Sequence, residues 1–243
     1  MNLPNPTLDR RNFITRSAVG VAGALVVGIE LAPGVSWAEE ADVAATAGGS
    51  LGVYVTIGTD GTVTLVCPGA EMGQGITTSL PMILAEELMV DWSSVVVRLA
   101  YADAGLNRPS AAAPLVPGSS QGVGGSNSVR RYHDYLRQLG ATTRQKLIWA
   151  ASSLHSIPVA DLRAENGEVV HDASGDSWPY ADLVERALTM TPNDIAWVAP
   201  PYRIIGTSAR RKDLPAKVNG SARFGIDVRV EGEQGQEQEM VFA

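Results

Sequence analysis

The chain has 243 residues, 45% of them apolar and 19% charged, with a net charge of −7. That length holds one large domain or two small ones, and the acidity makes nucleic acid or an anionic membrane surface a poor partner. A single cysteine, Cys67, excludes an intrachain disulfide and any cysteine-rich zinc or iron–sulfur site, and His133, His155 and His171 are too scattered for a metal-ligand pattern.

Residues 9–14, Asp-Arg-Arg-Asn-Phe-Ile, have the form of a twin-arginine export signal. A moderately apolar run from Ala18 to Leu31 follows, interrupted by Gly20, Gly23 and Gly28 and holding Glu30. It is about 14 residues long, short of the roughly 20 that cross a bilayer. Ser36-Trp37-Ala38 then supplies a small-residue cleavage site. Residues 1–38 are therefore expected to be an address to the periplasm. The twin-arginine route exports folded proteins, often with a cofactor already inserted, so the address favours a redox enzyme.

Residues 39–50 read as a flexible linker. Two β-rich runs, Leu51–Ile57 and Thr62–Cys67, flank Asp60-Gly61, a strong hairpin turn signal. Cys67 follows Leu65-Val66 and is expected to be a small buried strand residue. After the loop Pro68–Gly75, apolar Ile76, Leu80, Ile83, Leu84, Leu88 and Met89 predict a helix over 76–90. Ser94–Tyr101 reads as a strand, and 102–126 as a long Ala-, Gly-, Pro- and Ser-rich connection of the kind that is functional or disordered. A long helix is expected over 127–153, with Val129, Tyr132, Leu136, Leu139, Leu147 and Ile148 as its apolar stripe and Ser126 or Ser128 as its cap.

A second hairpin, Leu162–Val170, is expected to turn at Asn166-Gly167, and a short helix to lie near 180–189. Pro192–Lys212 reads as a connection, and 213–229 starts something new. The chain then becomes acidic and Gln-rich and stops on the apolar Met240-Val-Phe-Ala243, the beginning of a strand without a partner. That ending is expected of a fragment, a split gene or a subunit completed by another chain.

Chemistry is concentrated in two Gly-rich loops, each ahead of a helix. In Glu71-Met-Gly-Gln-Gly75, glycines let a ligand approach the backbone, free N–H groups at the helix start favour an anion, and Gln74 can donate and accept. In Gly122-Val-Gly-Gly-Ser-Asn-Ser128, Asn127 and the serines stand beside a second helix start. The residues alone allow two readings: a clamp on a large, phosphate-bearing cofactor, or a pair of tight turns with caps. Neither loop has dinucleotide-binding or P-loop spacing.

The segment Pro68–Thr78 resembles the "EMGQG" loop of the molybdenum hydroxylases of xanthine dehydrogenase/aldehyde oxidase type, and Gly124–Val129 resembles that family's second cofactor loop. Leu214–Val228 resembles the opening of the family's a/b hammerhead domain. The order, cofactor loop before hammerhead, together with the twin-arginine signal, is similar to the permuted branch of isoquinoline 1-oxidoreductase large subunits and membrane-bound aldehyde dehydrogenases.

The resemblance implies an α+β fold of mixed sheets with packed helices, part of a molybdopterin-binding domain over 51–190, then a connection over 191–212 and the start of a hammerhead over 213–243. It implies that Met72, Gly73, Gln74, Gly75, Gly125, Ser126, Asn127 and Ser128 bind molybdopterin, in its plain or cytosine dinucleotide form. It further implies hydroxylation of an aldehyde or N-heterocycle with water-derived oxygen. Electrons would pass to a [2Fe–2S] partner subunit, with a cytochrome c subunit and the rest of a large subunit as further partners. The family's Gly-Gly-Gly-Phe-Gly-Gly loop and late catalytic Glu have no counterpart here, and Glu71 belongs to the binding loop, so no catalytic residue or metal ligand is assigned. The competing reading is a non-catalytic exported binding or assembly module, or an inactive fragment, that keeps the family's loops.

Overall fold

The computed structural model of the protein describes residues 54–100, 123–224 and 227, and the backbone of 24–26, 48–52, 229–231 and 237–239. The arginine pair, the cleavage site at 36–38, the long connection over 101–122, and Ile226, Val228 and Met240–Ala243 lie outside the described residues. The architecture is the expected α+β arrangement of small mixed sheets with packed helices.

A five-stranded sheet has the order β1 (Ala24–Val26), β2 (Gly48–Gly52), β3 (Val55–Gly58), β4 (Val63–Cys67), β5 (Val96–Leu99). Its two outer pairs are parallel and its inner pairs antiparallel. The hairpin at Asp60-Gly61 forms as expected, with Gly61 at φ 81° and the Asp60 carboxylate accepting from the Thr62 N–H at 2.9 Å.

The run Leu51–Ile57 is not one strand: β2 and β3 fold back on each other, pairing Gly52 with Val55. The reason lies in two adjacent buried side chains, Tyr54 and Val55. In a continuous strand they would face opposite sides of the sheet. The reversal lets Tyr54 pack edge-on against Tyr135, with ring centroids 5.8 Å apart, while Val55 enters the sheet.

Helix α1 (Ile76–Leu88) crosses from β4 to β5. Ile76, Leu80, Ile83, Leu84 and Leu88 are buried as its spacing predicts. It ends short of residue 90 because Met89 turns left-handed, φ 56°. Its last carbonyls have partners: the Tyr180 hydroxyl donates to Leu88 at 2.7 Å and the Gly167 N–H to Met89 at 3.0 Å.

Helix α2 (Ser128–His155) lies across α1. Contact is closest at Gly140, where a Cβ would meet the Glu87 Cβ at 2.7 Å and the Leu84 carbonyl oxygen at 3.1 Å. Only glycine permits that approach. Tyr132, Leu136, Leu139, Leu147 and Ile148 are buried as expected, but Val129 is 44% exposed, because the first turn of the helix, residues 129–131, stands out in solvent.

The second hairpin turns at Asn166 (φ 50°) and Gly167 (φ 86°), the two positive-φ residues of a type I′ turn. Its strands, β6 (Leu162–Glu165) and β7 (Glu168–His171), are joined by β8 (Asp176–Pro179), which the polar sequence does not predict. Helix α3 (Tyr180–Ala187) follows and packs on α2.

The stretch from Met190 to Asp213 has no helix or strand, yet it is bound to the core by two adjacent acids of α1. Glu86 and Glu87 are 1% and 0% exposed. Glu86 accepts three backbone N–H groups, from Arg203 at 2.9 Å, Ile204 at 2.7 Å and Ile205 at 2.8 Å. Glu87 accepts from the Arg137 Nε at 2.7 Å, the Arg144 Nη1 at 3.3 Å and the Val198 N–H at 2.9 Å. The two arginines also donate to the carbonyls of Val198 and Ala196, each at 2.6 Å. The charges of Glu87, Arg137 and Arg144 are paired with one another, and the Glu86 carboxylate is satisfied by three backbone N–H groups, the conditions under which buried ions are tolerated. A short helix, α4 (Leu214–Asn219), completes the described chain before the two-stranded β9 (Arg229–Glu231) and β10 (Glu237–Glu239).

Candidate cofactor loops

The first loop leaves β4 at Cys67. The buried thiol donates to the carbonyls of Ile76 at 3.4 Å and Gly69 at 3.6 Å, and burial pushes it up to about 11. It stays a protonated, unreactive strut at the base of the loop.

Above it, Glu71 organises the turn. Its Oε1 accepts the N–H groups of Gly73 at 2.8 Å and Gly75 at 3.0 Å; its Oε2 accepts the Thr77 N–H at 3.1 Å and the Thr77 hydroxyl at 2.9 Å. Burial by itself would raise this carboxyl. The donors from Gly75, Thr77 and Gly73 outweigh it and hold the group at about 2. Glu71 is therefore ionised at neutral pH with a 9% exposed side chain.

This corrects the expectation of free N–H groups at the start of α1. A carboxylate of the chain itself occupies that position and takes the Gly75 and Thr77 donors. The Gln74 amide also turns inward, accepting the Met72 N–H at 2.7 Å and donating to the Ala70 carbonyl at 2.8 Å. The outward surface left by these bonds is Met72, 71% exposed, with the bare backbone of Gly73 (φ 102°), where a Cβ would meet nothing within 4 Å.

A residue from far along the chain grips the same turn. Arg211 donates to the Gly73 carbonyl at 2.9 Å and to Glu71 at 3.1 Å, and is itself held by Asp213 through contacts of 2.9 and 2.7 Å. Next to it, the Lys212 N–H donates to the Thr78 hydroxyl at 3.0 Å, and its ammonium caps the carbonyls of Trp92 and Val95 over the Trp92 ring. No local pattern ties Arg211 to residues 140 positions earlier, so sequence reasoning missed it.

The second loop is built differently. Gly125 (φ 57°) and Ser126 (φ 52°) are both left-handed, and a Cβ on Gly125 would crowd the Asn127 Nδ2 at 3.1 Å. The cap is Asn127 rather than Ser126 or Ser128: left-handed Ser126 cannot take the extended capping conformation, and Ser128 is already in the helix. Asn127 makes no side-chain cap; its Oδ1 accepts from Arg130 instead. Gly124, Gly125 and Ser126 are exposed, beside exposed Arg130 and Arg131.

Met72–Gly75 and Gly125–Ser128 thus form two separate exposed turns. Buried Tyr54 packs edge-on against Tyr135 of α2. The first turn offers bare backbone at Gly73 beside exposed Met72, the second short polar groups beside two guanidinium groups, and these are the groups that could hold a planar polar ring system with a phosphate tail. No cluster of His, Cys, Asp or Glu able to hold a metal ion occurs among the described residues.

The family model for the molybdopterin cofactor-binding domain matches residues 9–238. The chain is 32% identical over 260 aligned residues to the isoquinoline 1-oxidoreductase subunit beta of Brevundimonas diminuta, covering 93% of this chain and 32% of that protein. It is 32% identical to the membrane-bound aldehyde dehydrogenase [pyrroloquinoline-quinone] of Gluconacetobacter polyoxogenes, covering 74% and 22%. Among solved structures it is similar to quinoline 2-oxidoreductase from Pseudomonas putida 86, at 23% identity and a TM-score of 0.38, covering 54% of this chain and 15% of that one. The chain spans about a third or less of the length of each of these proteins.

Proposed function

This chain belongs to the family of molybdopterin cofactor-binding domains, and on that premise we propose that Met72, Gly73, Gln74 and Gly75 on one side, and Gly125, Ser126, Asn127 and Ser128 on the other, hold the cofactor. The observation that carries the assignment is the Glu71-centred turn. Four hydrogen bonds made inside it hold the turn in one shape and leave Met72 and Gly73 exposed. When bound, molybdopterin carrying molybdenum would supply the redox centre for oxidation at carbon. The chain contributes shape: Gly73 admits a flat ring against the backbone, and Glu71 fixes that backbone. Loop-two hydroxyls and amides, with Arg130 and Arg131 beside them, suit a phosphate.

We further propose that the whole protein is an oxidoreductase acting on an aldehyde or N-heterocycle, with electrons leaving to a [2Fe–2S] partner and with the remainder of a large subunit supplying the catalytic base. The names of the relatives, an isoquinoline oxidoreductase subunit and an aldehyde dehydrogenase, support the reaction and substrate class in that reading. Gln74→Ala and Ser126→Ala are each expected to weaken binding of metal-free molybdopterin about tenfold, one net hydrogen bond's worth, with little change in melting temperature. Both changes sit on exposed turns, so unchanged affinity in fluorescence titrations would make the loops structural turns only.

Export by the twin-arginine route is proposed from Arg10-Arg11 and the sequence after them. With both arginines changed to lysine, cell fractionation should find the protein in the cytoplasm. Undiminished periplasmic delivery of that variant removes the proposal.

A further inference from the structure

Resting on the cofactor-loop reading above, we infer that Arg211 is a positioning residue that holds the first loop in its binding shape, so that the segment after residue 205 and the loop act as one unit. Three observations carry this. First, the guanidinium reaches two different atoms of the loop, the Gly73 carbonyl at 2.9 Å and the Glu71 carboxylate at 3.1 Å, and so fixes both the tip of the turn and its organiser. Second, Arg211 is aimed before it meets the loop. Asp213 takes its Nε and Nη2 at 2.9 and 2.7 Å, and Lys217 donates to Asp213 at 2.5 Å, leaving Nη1 to face Gly73. Third, Gly75 is left-handed (φ 86°), and the Arg211 Cζ and Nη1 stand 4.0 Å from where its Cβ would be, so the guanidinium lies directly on the turn.

Ordinary surface ion pairs contribute little and are free to exchange partners. This one differs because its geometry is a fork. Separate nitrogens of one rigid plane meet the Gly73 carbonyl, the Glu71 carboxylate and Asp213 together, whereas an ammonium offers all its donors from a single flexible point. Its consequence is also local. Arg211 makes none of the hydrogen bonds of the buried Glu86 and Glu87 cluster, which fastens the preceding segment separately. Loss of Arg211 would thus loosen the loop while the core stays intact.

The test uses the full chain with Arg211→Gln and Arg211→Lys. In the ligand-free protein, amide hydrogen exchange at residues 72–77 is expected to rise about tenfold in both variants, while residues 84–88 and 203–205 keep wild-type protection. In anaerobic titration with metal-free molybdopterin, both variants are expected to bind about tenfold more weakly than wild type, again one hydrogen bond's worth. Unchanged loop exchange would overturn the positioning role, as would wild-type affinity in Arg211→Gln. Full rescue by lysine would overturn the fork and leave only a charge effect. If wild type itself binds no molybdopterin, the functional reading falls, and the inference about binding with it, whereas the exchange data still judge the loop contact on their own.

Discussion

Glu87→Ala is expected to lower the free energy of unfolding by about 3–5 kcal/mol, the cost of removing one partner from a buried ion pair. The change leaves two guanidinium groups, Arg137 and Arg144, with side chains only 10% exposed and no counter-ion. It also removes the acceptor of the Val198 N–H and opens a void where Gly140 lets the two helices touch. Arg137 would keep the Val198 carbonyl and its place over Trp197, with Cζ 4.6 Å from the ring centroid. Those neutral contacts do not replace a carboxylate.

Urea unfolding followed by circular dichroism measures the effect. A loss below about 1 kcal/mol, the range of exposed pairs, would show that water reaches the cluster and that it is not a buried ion network. Replacing Glu87, Arg137 and Arg144 together by apolar residues of similar volume should recover much of the loss, because the cost lies mainly in unpaired charge.

Glu71→Ala should weaken molybdopterin binding by about a hundredfold or more, several charge-assisted hydrogen bonds being lost together. The Gly73, Gly75 and Thr77 amides would lose their common acceptor, and Arg211 one of its two contacts with the loop. The same group gives a pH dependence with a definite sign. Its folded-state value, about 2, lies below the ordinary 4.5. The order it confers is therefore complete above about 4.5 and is lost as the pH falls from there toward 2.

Hydrogen exchange of residues 72–77 between pH 6 and pH 3, corrected for intrinsic rates, should show wild type loosening with acid and Glu71→Ala loose throughout. Wild-type affinity in Glu71→Ala, or a wild-type loop whose protection ignores this pH range, would show that the carboxylate does not organise the turn.

Where periodicity and turn chemistry acted locally, the fold was legible. The spacing of Ile76, Leu80, Ile83, Leu84 and Leu88 gave α1, and Asn166-Gly167 gave a hairpin of the expected type. The reversal at Tyr54 was not, because what drives it is the distant ring of Tyr135. The eight loop residues assigned to the cofactor were visible as glycine-rich turns ahead of helices. What organises them was hidden: a carboxylate that takes the helix-start donors for itself, and an arginine 140 residues away. Glu86 and Glu87 did leave a trace, two adjacent acids in an otherwise apolar helix. That pattern is a signal of buried ionic partners, but it does not say where they lie.

The segment that follows Ile205 meets both ends of α1. Ile204 and Ile205 are fastened to Glu86 near the carboxyl end of the helix, and Arg211 to the turn that precedes its amino end. From position 76 to position 86 a helix rises about 15 Å. Six residues, from Ile205 to Arg211, reach at most about 20 Å when fully extended. Hydrogen bonds from Thr207 to Ile204 and from Ala209 to Thr207 already shorten that reach. The segment therefore works as a ruler laid along the helix, with the Arg211 side chain completing its span. Irregular surface segments usually accept deletions freely, but here each residue removed between 205 and 211 shortens a reach that must run from Glu86 to the turn ahead of α1.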